Sequence, residues 1–246
     1  MESFGLMDEI ADELTRIKRK LKVDIIFKAS FDKANRTSIK SFRGPGIYKG
    51  LQWLNEIHLK YELPVTTDIH ESWQAKPTGS VADIIQIPAF LCRQTDLLVE
   101  AAKTGRIINI KKAQFLSADD MKYPVEKILS ADNQQIILTE RGTAMGQNSL
   151  VVDFRNISIM KKLGYPVVMD CTHAVQQPGG NITRGNRTYV KPIALAAKAF
   201  GANGFFIETH PTPEKGLSDA MNMYPLDEME NFIELLLKND SCEVEF

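Results

Sequence analysis

The stretch IIQIPAFLCRQTDLLVEAAKTGRIINIKK, residues 84–112, decides the fold. It holds two short runs, 84–87 and 107–110, that are isoleucine apart from Gln86 and Asn109. Strands buried on both faces of a parallel sheet read this way, as near-continuous apolar runs rather than alternating ones. Between the runs, residues 96–104 carry a helical period. Strand, helix and parallel strand form the repeating unit of an α/β fold. Working outward, the same alternation recurs. Apolar runs lie at 23–27, 65–67, 136–138, 167–169 and 204–207, and helical patterns at 51–61, 123–130, 157–163 and 193–200. This predicts a (β/α)8 TIM barrel as a single domain over residues 1–246, with an open doubly wound sheet as the structural alternative. A closed barrel needs eight strands, and only seven runs are present. The chain opens instead with a helical pattern over 6–20, where Leu6, Ile10, Leu14 and Ile17 fall three or four apart. The first strand therefore reads as missing.

Each run delivers polar groups at its C-terminal end: Lys28, then Asp68 and His70, Gln86, Lys111 and Lys112, Glu140 and Arg141, Asp170 and His173, Glu208 and His210. The active sites of (β/α)8 enzymes are built on that face. Composition sets the outer bounds. Of 246 residues, 43% are hydrophobic and 25% charged, as in ordinary globular proteins, and the net charge of −1 argues against a dominant field for nucleic acid. No apolar run reaches the ~18 residues of a membrane helix, and the first ten residues lack a signal core. Three scattered cysteines, Cys92, Cys171 and Cys242, make neither a disulfide framework nor a zinc site, so a cytoplasmic location is expected.

The chemistry of the strand ends points to anions. Lys28, Lys33, Arg36, Lys111 and Arg141 would gather on one barrel mouth, and clustered cations need an anion to balance them. Lysine and arginine suit phosphate and carboxylate, so a small polyanion with more than one phosphate is the expected ligand. The plain alternative is local pairing, Lys33 with Asp32 and Arg141 with Glu140. A second group, His173, Glu208 and Asp219, offers one nitrogen and two carboxylates, a donor set for Fe, Mn or Zn; a His–carboxylate pair tying loops together is equally open. Arg43-Gly44-Pro45-Gly46 reads as a tight turn, and the polar loop from Gln177 to Arg187 as a lid over the mouth or a plain surface loop. His58 reads as a solvated helical residue. No dinucleotide, phosphate-loop, zincin or nucleophile-elbow motif occurs.

Residues 27–38, Phe-Lys-Ala-Ser-Phe-Asp-Lys-Ala-Asn-Arg-Thr-Ser, resemble the 3-deoxy-D-manno-octulosonate 8-phosphate synthase family. The resemblance continues through 41–46, 67–71, 86–97, 109–115, 140–142, 170–173 and 208–211, covering almost the whole chain in order. The Lys33-Ala34-Asn35-Arg36 block separates it from the related 3-deoxy-D-arabino-heptulosonate 7-phosphate synthases, where Lys-Pro-Arg is usual. The resemblance implies a homotetrameric barrel transferase. It would condense phosphoenolpyruvate with D-arabinose 5-phosphate for lipopolysaccharide synthesis. By the same resemblance Lys28 and Lys33 hold the carboxylate end of phosphoenolpyruvate. Gln86 is a substrate-binding residue, and Lys111 and Arg141 hold the phosphate of phosphoenolpyruvate with Arg93 from a neighbouring subunit. Arg36 and Thr37 hold the sugar phosphate, Asn35 and Asp68 contact the sugar, and His173 lies near the reacting centre. Two alternatives are the heptulosonate synthase activity and an inactive truncated barrel serving only in assembly. Members of the family open with a strand carrying Ala-Gly-Pro followed by Cys in metal-dependent enzymes or Asn in metal-independent ones. That position precedes Glu2-Ser3 and is not in this chain. Leu217-Ser218-Asp219-Ala220 looks more like the metal-dependent branch. A divalent metal on His173, Glu208 and Asp219 is therefore expected, with the metal-independent branch as the alternative.

Overall fold

The computed structural model describes residues 1–36, 38–145, 149–177 and 184–238. They fall into two compact units, residues 1–110 with 123–136 and residues 111–122 with 137–246.

The first unit opens with α1 (Phe4–Leu21), followed by β1 (Phe27–Lys28), α2 (Ile47–Tyr61), β2 (Val65–Asp68), α3 (Ala75–Gly79), β3 (Ile84–Ile87), α4 (Thr95–Ala102) and β4 (Ile107–Lys111), with α5 (Lys122–Leu129) returning to it. Ser3 starts α1 by accepting the Leu6 amide at 3.2 Å, satisfying one of the free N–H groups of the first turn. Lys18, Arg19 and Lys20 sit in the last turn, where the helix dipole favours cations. The strands pair in parallel, with Phe27 opposite Val65, Asp68 opposite Gln86 and Ile87 opposite Ile110. Every residue of β2 and β3 is buried, which is why these runs show no alternation. Met7 and Ala11 of α1, Leu54 and Ile57 of α2, and Phe27 and Val65 share one core cluster. Burying one such aliphatic side chain stabilises by about 1.5–3 kcal/mol.

The second unit carries β5 (Ile136–Glu140), α6 (Arg155–Lys161), β6 (Val167–Asp170), α7 (Val190–Ala199), β7 (Gly204–Phe206) and α8 (Met229–Leu237). Leu138 pairs with Val167 and Phe206 with Asp170, again in parallel. Two-residue strands also pair antiparallel, Thr143–Ala144 with Leu150–Val151 and Gln176–Gln177 with Arg184–Gly185.

Seven parallel main-sheet strands in chain order, alternating with helices, give the α/β class of a (β/α)8 barrel with one strand fewer than eight among the described residues. Three details depart from the sequence reading. β1 spans two residues rather than 23–27, because 23–26 are only partly buried or exposed and make no ladder. Helices α3 and α8 appear where no helical segment is expected. No helix among the described residues is long and apolar enough to cross a membrane.

Candidate active site

In the first unit the site is built on the ends of β1, β2 and β3. Asp68 closes β2 and is nearly inaccessible. Its Oδ1 lies 3.4 Å from Lys28 Nζ, and its Oδ2 lies 3.1 Å from His70 Nε2. Burial pushes the Asp68 carboxyl upward, but Lys28, the His70 hydrogen bond and Lys33 outweigh it and hold it well below the usual carboxylate range. Asp68 is therefore an ionised acceptor at neutral pH. His70 is fixed from both sides: its backbone amide donates to Gln74 Oε1 at 2.7 Å, and its ring meets Phe31 edge-on at 6.1 Å. Gln86, opposite Asp68 in the register, is buried with Oε1 lacking a hydrogen-bond partner. Gln86 therefore keeps an acceptor available on the strand ends beside Asp68.

The 31–46 loop carries the next group. Asp32 does not pair with Lys33; it takes a two-pronged bond from Arg43, both distances 2.6 Å. The Lys33 amide donates to Arg43 O, and the Gly46 amide to Phe31 O. Gly44 sits at φ +120, and a Cβ there would lie 2.6 Å from Phe31 O, so the turn requires glycine. This turn anchors the segment that bears Lys33, exposed Asn35 and half-buried Arg36. Thr37 lies outside the described residues, as does most of the expected lid loop, 178–183. Arg93 is exposed at the start of α4.

In the second unit the ends of β4, β5, β6 and β7 meet around Asp170, which has no solvent exposure. Its Oδ2 accepts Lys111 Nζ at 2.5 Å. Its two oxygens face His173 Nδ1 at 2.8 and 3.0 Å, and Oδ1 also accepts the His173 amide at 2.9 Å. Burial would raise the Asp170 carboxyl, yet His173 and Lys111 hold it far below its ordinary value. The Asp170 carboxylate thus orients the imidazole through Nδ1. Ligand atoms of His173, Glu208 and Asp219 all lie within 4.8 Å of one another. Glu208 Oε1 is 3.6 Å from His173 Nε2. Lys111 is also stacked on Phe206, its Nζ 3.9 Å from the ring centre.

Arg141 is 5% exposed. It does not pair through its guanidinium with Glu140; that carboxylate instead accepts the amides of Arg141 and Gly142 at 2.9 and 2.6 Å. One guanidinium arm donates to Gln176 Oε1 at 2.9 Å, and Gln176 Nε2 donates to Asp219 Oδ1 at 2.8 Å. The other terminal nitrogen, Nη1, is buried without a hydrogen-bond partner. Burial pulls the Arg141 guanidinium below its ordinary value, against the pull of Asp170, Glu140 and Asp219. A desolvated guanidinium with an idle donor is a site prepared for an anion.

Of the expected residues, the first unit thus gathers Lys28, Asp68 and Gln86, and the second gathers Lys111, Arg141, His173, Glu208 and Asp219. Asp170 and His70, read from sequence only as polar strand-end residues, and Gln176, which no sequence signal singles out, complete these groups. Cys92 and Cys171 are buried, and burial lifts the Cys171 thiol well above its usual value, so it is no nucleophile. His58 is partly exposed, its Nδ1 2.9 Å from Leu63 O, and takes no part.

A family model described as the DAHP synthetase I family matches residues 1–244. The chain is 50% identical over 242 residues to a 2-dehydro-3-deoxyphosphooctonate aldolase of Fusobacterium nucleatum, covering 98% of this chain and 87% of that one. It is 52% identical over 231 residues to the protein of that name from Nitratidesulfovibrio vulgaris, covering 93% and 85%. A third, from Cyanothece sp., is 51% identical over 239 residues, covering 96% and 88%.

Proposed function

The chain belongs to the DAHP synthetase I family, and we propose that within it the chain is a 2-dehydro-3-deoxyphosphooctonate aldolase. As such it condenses phosphoenolpyruvate with D-arabinose 5-phosphate and water, releasing phosphate. The observation that carries the reading is Arg141: a buried guanidinium with an unpartnered Nη1, held by Gln176 to Asp219.

In the reaction the enol carbon attacks the sugar aldehyde, positive charge builds at the carbon bearing phosphate, water adds there, and the hemiketal phosphate collapses by carbon–oxygen cleavage. In the second unit, Lys111 and Arg141 neutralise the phosphate as it becomes a leaving group, and their burial strengthens that interaction. Asp170 holds Lys111 Nζ and orients the His173 ring through Nδ1. By the family resemblance Lys28 and Lys33 take the carboxylate, and Gln86 stands opposite Asp68 in the strand register. Asp68, held ionised, accepts a sugar hydroxyl proton together with Asn35, while Arg36 and Thr37 take the sugar phosphate. Arg93 reaches the site of a neighbouring subunit in a homotetramer; its exposure, with that of Phe90, supports this.

The donor set fits a divalent metal. One imidazole nitrogen and two carboxylates suit Zn, Mn or Fe, and the Asp170–His173 bond is the outer-shell support such a ligand needs. Bound at His173, Glu208 and Asp219, the ion supplies charge and orientation to the reacting oxygens. The reaction uses phosphorylated metabolites of the cytoplasm, where we place the protein.

Mass spectrometry of the product made from phosphoenolpyruvate and a panel of sugar phosphates tests the reading. An eight-carbon keto-acid phosphate from arabinose 5-phosphate is expected. A seven-carbon product from erythrose 4-phosphate would move the chain to the heptulosonate activity.

A further inference from the structure

Lys111 and Lys112 are consecutive, so their side chains leave the end of β4 in opposite directions. Lys111 meets Asp170. Lys112 turns the other way and is wholly inaccessible, as is Glu140 at the end of β5. Five oxygens lie around Lys112 Nζ: Ala113 O and Leu116 O at 3.2 Å, Thr143 Oγ1 at 3.3 Å, Gly142 O at 3.4 Å and Glu140 Oε1 at 3.5 Å. Glu140 Oε1 in turn accepts the amides of Arg141 and Gly142. Gly142 adopts φ +91, so the chain turns sharply there. The Lys112 amide also donates to Thr139 O at 2.8 Å.

A single ammonium thus ties the turn after Lys111 to the turn after Arg141. A buried ion pair adds little net stability over apolar residues of the same volume, because desolvation offsets attraction. What this pair does set is geometry. Glu140 fixes the backbone from which Arg141 departs, and Lys112 fixes Glu140 relative to β4.

We propose that Lys112, acting through Glu140, is a positioning residue that sets the spacing of Lys111 and Arg141 for one phosphate group. The inference rests on the reading of Lys111 and Arg141 as the phosphate-binding pair. It goes beyond that reading in assigning a cation that touches no substrate.

The test compares Lys112→Arg, Lys112→Met, Glu140→Gln and the double variant Lys112→Met/Glu140→Leu, with Arg141→Ala as the control for the underlying reading. Thermal melting establishes which variants fold. The double variant leaves no buried charge unpaired, and Glu140→Gln keeps an acceptor for both amides, so a folded protein is available even where Lys112→Met alone fails. The readouts are kcat and the separate KM values for phosphoenolpyruvate and arabinose 5-phosphate. The folded double variant is expected to raise the KM for phosphoenolpyruvate about tenfold, the lower bound for loss of an outer-shell partner. Its KM for arabinose 5-phosphate should change less than about twofold, and Lys112→Arg should restore most of the loss. A merely structural pair would not split the two KM values. A folded double variant whose KM for phosphoenolpyruvate stays within about twofold of the parent overturns the inference while leaving the phosphate reading intact. An Arg141→Ala variant with unchanged KM for phosphoenolpyruvate overturns the phosphate reading, and the inference with it.

Discussion

Replacing Asp170 with asparagine should cost more than any other single change at the site. The carboxylate is fully buried and faces three donors: Lys111 Nζ at 2.5 Å, His173 Nδ1 at 2.8 Å and the His173 amide at 2.9 Å. An amide keeps one acceptor and sets its NH2 against Lys111 or His173, a donor facing a donor. Lys111, itself buried, loses its counter-ion. Removing one partner of a buried pair costs about 3–5 kcal/mol. At about 2–4 °C per kcal/mol for a chain of this size, the melting temperature should fall by roughly 6–20 °C. His173 also loses its orienting partner, so metal affinity should drop about 10–100-fold. Differential scanning fluorimetry and competition with a metal indicator measure the two effects. A variant that melts within about 2 °C of the parent and binds metal equally well would show that Asp170 organises neither Lys111 nor His173.

Further expectations follow from the same geometry. Asp68→Asn removes a carboxyl whose folded value lies well below 3.8. A depressed carboxyl contributes stability above its unfolded value, lost as pH falls through the folded one. The stability gap between parent and variant should therefore be widest at neutral pH and close below about pH 4; a gap independent of pH in urea titrations contradicts the ion pairing. Arg141→Ala should raise the KM for phosphoenolpyruvate far more than that for the sugar phosphate, and steady-state kinetics that show equal changes would argue against the anion role. Chelation should lower the melting temperature, because a ligand bound to the native state stabilises it, and the shift should vanish in Glu208→Gln/Asp219→Asn. In the core, Leu54→Ala should destabilise by about 2–5 kcal/mol without altering KM, as read by denaturant unfolding.

Much of this was legible in the sequence because the main strands are buried on both faces. Residues 84–87 and 107–110 read as strands for that reason, and their C-terminal polar residues read as the working edge. β1 was harder, since Val23, Ile25 and Ile26 are apolar but partly exposed and unpaired, and Asp24 interrupts them. Helix α3 has five residues, fewer than two turns, so no period can show. At α8, Met229 and Phe232 keep the right spacing, but no apolar strand run directly precedes the stretch to frame it as part of a βα unit. Spacing alone left His173, Glu208 and Asp219 undecided between a metal set and a loop clasp. Their meeting depends on a loop in which Asp219 adopts φ +50, a conformation no periodicity reveals. The acids thought to pair locally with Lys33 and Arg141 do other work. Asp32 locks Arg43, and Glu140 holds backbone amides, because bonds across a turn decide side-chain partners more than adjacency does.

The central claim is most directly tested by following phosphate release from phosphoenolpyruvate by the purified protein, with and without arabinose 5-phosphate, before and after chelation and metal re-addition. The account predicts release that requires the pentose phosphate, stops on chelation and returns with metal. No release from a folded, metal-loaded protein given both substrates would contradict it.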